Sequence, residues 1–280
     1  MRHILCLTLC LTGLTALGGC GNSEKQQQAA IDEVTKADAA NMNEIMLTVG
    51  NPADAVAYFQ KMTMEQPNDL EVRRDLGISL IRADRPTEAV GVWKTVVASP
   101  ESTNDDKVQL ASALIRTNDW KGAAETLNTI PPTYETYERY RLEAMVADSQ
   151  KNWKKADSFY EIAVGLTPQP ANVLNNWGFS KLTRGDNAGA ERLFAEALTY
   201  DPKMFTAKNN LVLARAAQGK YDLPVIDMTQ AERAQLLYTA GLAAVKQGQV
   251  SIGKDLLQQA IDTSPQYFEA AVRSLEALEG

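Results

Sequence analysis

Histidine and cysteine are almost missing from this chain of 280 residues: there is one histidine, His3, and three cysteines, Cys6, Cys10 and Cys20, all near the N-terminus. A nucleophile and base pair normally draws on histidine, and a zinc site on histidine or cysteine. Once the N-terminal segment is processed, the body holds no histidine and no free thiol. That removes most hydrolase and metal mechanisms and leaves no cofactor to expect. Two carboxylates can cleave a glycoside unaided, but among 35 Asp and Glu some pair lies close by chance. Positive charge is also short: 28 Lys and Arg leave a formal net charge of -7, the wrong sign for neutralising the phosphates of DNA or RNA. No apolar run beyond the N-terminus approaches the roughly 18 residues of a membrane-spanning helix. A phosphate-binding loop is missing too, because the glycines stand in turns such as Arg184-Gly185-Asp186, where they end helices. What is left, 45% hydrophobic and 22% charged, is the composition of a soluble globular chain with no small-molecule substrate.

The N-terminus has a short basic start, Arg2-His3, an apolar stretch from Ile4 to Leu17, and the exit Leu17-Gly18-Gly19-Cys20 followed by a polar run. This is the pattern of a secretory signal peptide, too short to span a bilayer core of roughly 30 Å. The Leu-Gly-Gly-Cys ending resembles the lipobox of bacterial lipoproteins, whose cysteine thiol takes a diacylglycerol and becomes the first residue of the mature chain. The resemblance assigns residues 1–19 to a lipoprotein signal peptide, Cys20 to lipid attachment, and 20–35 to a lipidated tether. Two or more acyl chains anchor stably where one does not, so membrane attachment through the N-terminal lipid is expected. Gly21 stands where an Asp commonly retains such proteins in the inner membrane, which favours the outer membrane with the body facing the periplasm.

Beyond the tether the sequence repeats itself. Asn175-Asn176-Trp177-Gly178 with Arg184-Gly185-Asp186 recurs 34 residues on, as Asn209-Asn210-Leu211-Val212 with Gln218-Gly219-Lys220. Ala190, Phe194, Ala197 and Pro202 follow Ala156, Tyr160, Ala163 and Pro168 at the same offset. This period resembles the tetratricopeptide repeat (TPR), in which each copy is a pair of antiparallel helices. Small residues of the two helices face each other (Gly77 and Ala89, Ala111 and Ala123, Ala144 and Ala156, Gly178 and Ala190, Gly241 and Gly253), and a larger one (Trp93, Leu127, Tyr160, Phe194, Leu257) fills the gap to the next pair. Trp120, Trp153 and Tyr221 cover the turns. A proline ends most copies because it cannot continue a helix. The predicted fold is all-α, a TPR-type solenoid of about six to seven helix pairs with one degenerate copy and a C-terminal cap helix.

The first copy is weak, with Asn43 where a small residue belongs, and the third closes early at Pro131-Pro132. In the sixth, Pro224 replaces the small residue of the second helix, so Leu223-Pro224-Val225-Ile226-Asp227 is expected to be extended. Thr229-Gln230-Ala231-Glu232 then reads as a capping box that starts a new helix. The predicted organisation is a TPR array over 36–222, a link over 223–229, and a last pair with its cap over 230–280.

Tandem helix pairs present the first helix of each pair on the concave side. On the repeat register, the residues that point inward are Arg74 and Ile78, Val108 and Ser112, Arg141 and Met145, Asn175 and Phe179, Asn209 and Leu213. Of these Arg74, Arg141, Met145, Asn175, Phe179, Asn209 and Leu213 are the candidate partner-binding residues, since arginines, amides and exposed apolar groups suit an extended peptide. Chaperone-type repeats clamp a C-terminal carboxylate with cations at set positions. Here that register offers Arg141, Met145, Asn176, Thr206 and Asn210, too few of them cations, so carboxylate capture is not expected.

The combination of lipobox, gap and repeats with a proline-containing degenerate copy resembles the TadD-type lipoproteins of the tight-adherence (Tad, or Flp) pilus assembly system. The likeness is carried mostly by Asn175-Asn176-Trp177-Gly178 through Asp201-Pro202 and Asn209-Asn210-Leu211. It implies a periplasmic scaffold that binds pilus-secretion proteins, above all the secretin. A type IV pilotin, a general envelope scaffold or an activator of a cell-wall enzyme is the alternative.

Overall fold

The computed structural model describes residues 40–278, which hold fourteen helices and no strand. The signal peptide, Cys20 and the tether lie outside the described residues. In order the helices are α1 (40–48), α2 (Pro52–Glu65), α3 (Leu70–Arg82), α4 (Pro86–Val97), α5 (Asn104–Arg116), α6 (Trp120–Asn128) and α7 (Tyr137–Ser149). Then come α8 (Trp153–Gly165), α9 (Ala171–Thr183), α10 (Asn187–Tyr200), α11 (Phe205–Ala216), α12 (Gln230–Lys246), α13 (Val250–Thr263) and α14 (Glu269–Glu276). In the second unit α5 pairs with α6, α7 with α8, α9 with α10 and α12 with α13, as the TPR period requires. The chain divides into two compact units at Arg85 and Pro86, inside the stretch 36–222 that the sequence draws as one array.

The pairs close because their facing positions carry almost no side chain. Ala111, Ala123, Ala144, Ala156 and Ala190 are fully buried, and so are the larger neighbours Tyr160, Phe194 and Leu257. At Gly178 the approach is too close for any side chain, since a Cβ there would stand 2.7 Å from the Phe194 ring. The turns that follow the first helices of the copies share one device. Asp84, Asn118, Lys151, Gly185, Gly219 and Gly248 all adopt positive φ. The next amide bonds back to a carbonyl in the helix just ended, as Asp119 N to Leu114 O at 2.9 Å and Asp186 N to Lys181 O at 2.9 Å. A left-handed residue is what turns a helix end around so that its last carbonyls find partners. The following side chain then caps the next helix: Asp119, Asn152 and Asp186 accept from the amides of Gly122, Lys155 and Gly189.

Each irregular copy has its own polar or apolar repair. In the first unit Tyr58 donates to Asn43 Oδ1 at 3.0 Å and Asn43 donates to Asp75 at 3.5 Å, so the amide that replaces a small residue ties α1, α2 and α3 together. Arg82 donates to the Met46 and Gly50 carbonyls at 2.7 and 3.0 Å, closing the end of α1. In the third copy the buried Arg139 holds the early-ending loop, donating to the Pro131 and Tyr134 carbonyls at 2.8 Å each while pairing with Glu143 at 2.8 Å. In the sixth, residues 221–229 carry no helix. Ile226 packs on the core of α10 and α11, and Tyr221, Leu223 and Met228 pack on the core of α12 and α13. A non-helical segment therefore fills the place of the missing second helix; it is not the extended run expected, since it bends at Val225, where Ile226 N donates to Pro224 O at 3.1 Å. The capping box follows, Thr229 Oγ1 accepting from Glu232 N at 3.2 Å and Glu232 accepting from Thr229 N at 2.7 Å.

Candidate functional site

The first helices α7, α9 and α11 of three successive pairs line a groove of about 450 Å³ in the second unit, with the starts of α6 and α8 at one end. Met145 and Asp148 come from α7, Asn175, Asn176, Phe179 and Ser180 from α9, and Thr206 and Asn210 from α11. Trp120 and Trp153, each at the first position of a second helix, stand over the turn end. The repeat makes this assembly. Residues about one repeat apart sit side by side on neighbouring first helices: Asn210 Nδ2 donates to Asn175 Oδ1, 35 positions earlier, at 3.1 Å. Asn176 reaches back to the Met145 sulfur at 3.5 Å. A thioether is a weak acceptor, so the Asn176 amide keeps most of its hydrogen-bonding capacity. Phe179 leaves half its surface, 52%, in solvent.

Beside the groove a polar network fixes the walls. Tyr160 stacks on Trp177 with ring centroids 6.2 Å apart. Its hydroxyl donates to Asp148 at 2.9 Å, and Ser180 donates to the other Asp148 oxygen at 2.7 Å. Burial raises the Asp148 carboxyl above the ordinary aspartate value, against the lowering from those two hydroxyls and Arg184. The neighbouring Asp157 goes the other way. It is raised by burial, but one Arg184 nitrogen donating to both its oxygens at 2.7 and 2.8 Å, Trp177 at 2.6 Å and Lys181 at 3.3 Å together hold it below the usual range.

Of the residues that the register points inward, the structure brings Met145, Asn175 and Phe179 to this groove, and Arg141 stands beside it, 3.9 Å from the Met145 sulfur. The others lie elsewhere. Arg74 belongs to the first unit and pairs with Glu71 at 2.6 Å. The Asn209 oxygen is taken by Thr239 at 2.8 Å, and Leu213 is half-buried beyond the groove. Val108 is a core residue, 1% exposed, because its turn of α5 faces neighbouring helices and not the open side. The carboxylate-clamp register does meet in space, since Met145, Asn176, Thr206 and Asn210 all line the groove, yet the charge it contains is the Asp148 carboxylate. Sequence reasoning missed Asp148, a lone acid at a helix end, and placed Trp120, Trp153 and Tyr160 only as turn cover and core. The 33-residue spacing of Trp120 and Trp153 shows those two equivalent, but not that two indoles would stand over one groove.

A second cavity, about 670 Å³, lies between the link and the last pair, bordered by Pro224, Val225, Arg233, Ile252, Asp255 and Gln259.

A tetratricopeptide repeat family model matches residues 176–223. Comparison with curated proteins finds no match. Among solved structures the chain is similar to one chain of the APC/C hetero-tetramer Cut9–Hcn1, with a TM-score of 0.60 and 14% identity over 85% of this chain and 48% of that one. It thus spans about half of that relative's length. A tetratricopeptide repeat protein from Parabacteroides merdae gives a TM-score of 0.57 at 12% identity, over 87% of this chain and 98% of that one. PilW, a widely conserved type IV pilus biogenesis factor, gives 0.55 at 15% identity, over 74% of this chain and 98% of that one. At such identities the likeness is one of fold.

Proposed function

We propose that this protein is a lipid-anchored periplasmic TPR scaffold that assists assembly or localisation of a Tad/Flp pilus secretion apparatus by binding an extended segment of a partner, the secretin. The observation that carries the reading is the groove itself, in which Met145, Asn175, Asn176, Phe179 and Asn210 from three helices share one open cavity of about 450 Å³. Amides spaced along a channel can pair with the backbone of a bound strand, and apolar walls take alternate side chains. A catalytic role lacks its usual nucleophiles and bases, since the body of the chain carries no histidine or cysteine. The pilus assignment draws on the TadD-type resemblance, and the outer-membrane location on Leu17-Gly18-Gly19-Cys20-Gly21. The likeness to PilW favours a second reading, a scaffold of type IV pili, in which the groove serves the same purpose for a different assembly.

The test is a double substitution, Arg141→Ala with Phe179→Ala. Both side chains are at least partly exposed, so the circular dichroism spectrum is expected to stay unchanged. Arginine and aromatic residues dominate interface hot spots, each worth about 2 kcal/mol or more when truncated. The double variant is therefore expected to lose capture of the secretin in pull-downs and to leave a deletion strain without pili. A folded double variant that still captures the secretin and restores piliation refutes the groove assignment.

A further inference from the structure

Asp148 is the carboxylate of the groove that has hydroxyl partners but no ion pair among the described residues. The cations around it are already committed. Arg184 and Lys181 are bound to Asp157 at 2.7 and 3.3 Å, Lys181 also lies 3.4 Å from Asp186, and Arg141 faces Glu138 at 4.0 Å. A carboxylate withdrawn from water keeps its charge at least cost when a cation joins it. The surroundings suit one. Both α7 and α9 end at this part of the groove, contributing Ser149 and Thr183, and helix C-termini carry partial negative charge. Aromatic faces attract cations as well. Trp153 already carries the Arg184 guanidinium 5.8 Å from its ring, which leaves Trp120 and Phe179 as aromatic walls with no cation over them among the described residues.

We infer that the groove selects its partner by a basic side chain, an arginine or lysine that passes between Trp120 and Phe179 and sets its charge against Asp148. The inference rests on the peptide-binding reading above and adds what the peptide must carry. It also explains why the clamp register has lost its cations. A C-terminal carboxylate placed there would meet Asp148, whereas a basic side chain gains from it, and the Asn176 and Asn210 amides serve the backbone in either case. A segment rich in Arg or Lys would moreover be drawn to a chain whose net charge is -7.

The purified full-length protein in detergent is panned against a phage library of random dodecapeptides. Enriched peptides are then synthesised, each alongside an analogue in which its Arg or Lys is replaced by norleucine. The expected result is enrichment of Arg or Lys flanked by apolar residues, at least tenfold weaker binding of the norleucine analogue, a similar loss with Asp148→Asn, and loss of capture with Phe179→Ala. The norleucine comparison is made on the unaltered protein, so it decides the question even if Asp148→Asn disturbs the fold. Peptides that need Phe179 but show no basic preference, or that end in an essential carboxylate, overturn this inference and leave the peptide groove standing. Failure to enrich any peptide, or enrichment of peptides that bind Phe179→Ala equally well, overturns both.

Discussion

Gly178 and Gly91 are both helical glycines, and their surroundings assign opposite signs to the same substitution. A Cβ at Gly178 meets the Phe194 ring at 2.7 Å, whereas one at Gly91 meets nothing within 4 Å. Replacing glycine by alanine inside a helix gains about 1 kcal/mol, and overpacking a filled contact costs about 1–3 kcal/mol. Gly91→Ala is expected to raise stability by up to about 1 kcal/mol and Gly178→Ala to lower it, as chemical denaturation measures. Ala190→Trp, on the facing helix, is expected to be worse still. Asp186, though exposed, is no neutral control, because it caps α10 through Gly189 N at 3.0 Å and lies 3.4 Å from Lys181. Exposed Ala188 is the proper control. In the first unit, burial and the nearby Glu71 and Asp69 push the Asp75 carboxyl up from 3.8 to about 6. A carboxyl raised on folding favours the protonated fold, so its contribution is complete below the unfolded value and is lost as pH rises through about 6. Hydrogen exchange over α2 and α3 is expected to be better protected at pH 5 than at pH 7.5, and Asp75→Asn to flatten that difference.

The element that departs furthest from the repeat is the link. Its register is set by alternate side chains: Ile226 turns to the core of α10 and α11, while Val225 is fully exposed. Truncating a fully buried isoleucine to alanine costs about 2–5 kcal/mol, and Ile226 is only half-buried. Ile226→Ala is thus expected to cost about 1–2 kcal/mol, and Val225→Ala to cost under about 0.5 kcal/mol, in denaturant midpoints. The start of α12 is fixed twice over. Glu232 completes the capping box and also takes the buried Lys208 at 3.0 Å, and those bonds, with the Thr229 amide first, hold its carboxyl below the usual range. Sequence reading finds the box from Thr229-Gln230-Ala231-Glu232. It has no means of finding Lys208, whose partner lies 24 residues away across a segment with no period.

At the scale of the molecule, the groove is lined by α6, α7, α8, α9 and α11, all of the second unit. The proposed location rests on Cys20. Cys20→Ser is expected to leave an unprocessed or soluble protein without an acylated N-terminal peptide in mass spectrometry. Equal amounts of the variant and the unaltered protein in the membrane fraction, with no acyl group on either, would sink the anchor.

Helix pairing was determined by the sequence alone, because it depends on local period: small residues at Ala144 and Ala156, or Gly178 and Ala190, permit only one close approach and recur often enough to be read. The inward face was legible for the same reason, and it led to Met145, Asn175 and Phe179. Tertiary structure alone decided which inward residues share a cavity, since that depends on where each pair stops, how the prolines bend the chain and which groups are already taken. Thr239 takes Asn209 and Glu71 takes Arg74, while Asp148 is left with hydroxyls only. Partnership of that kind is a property of distance in space, and the linear order of residues carries no record of it.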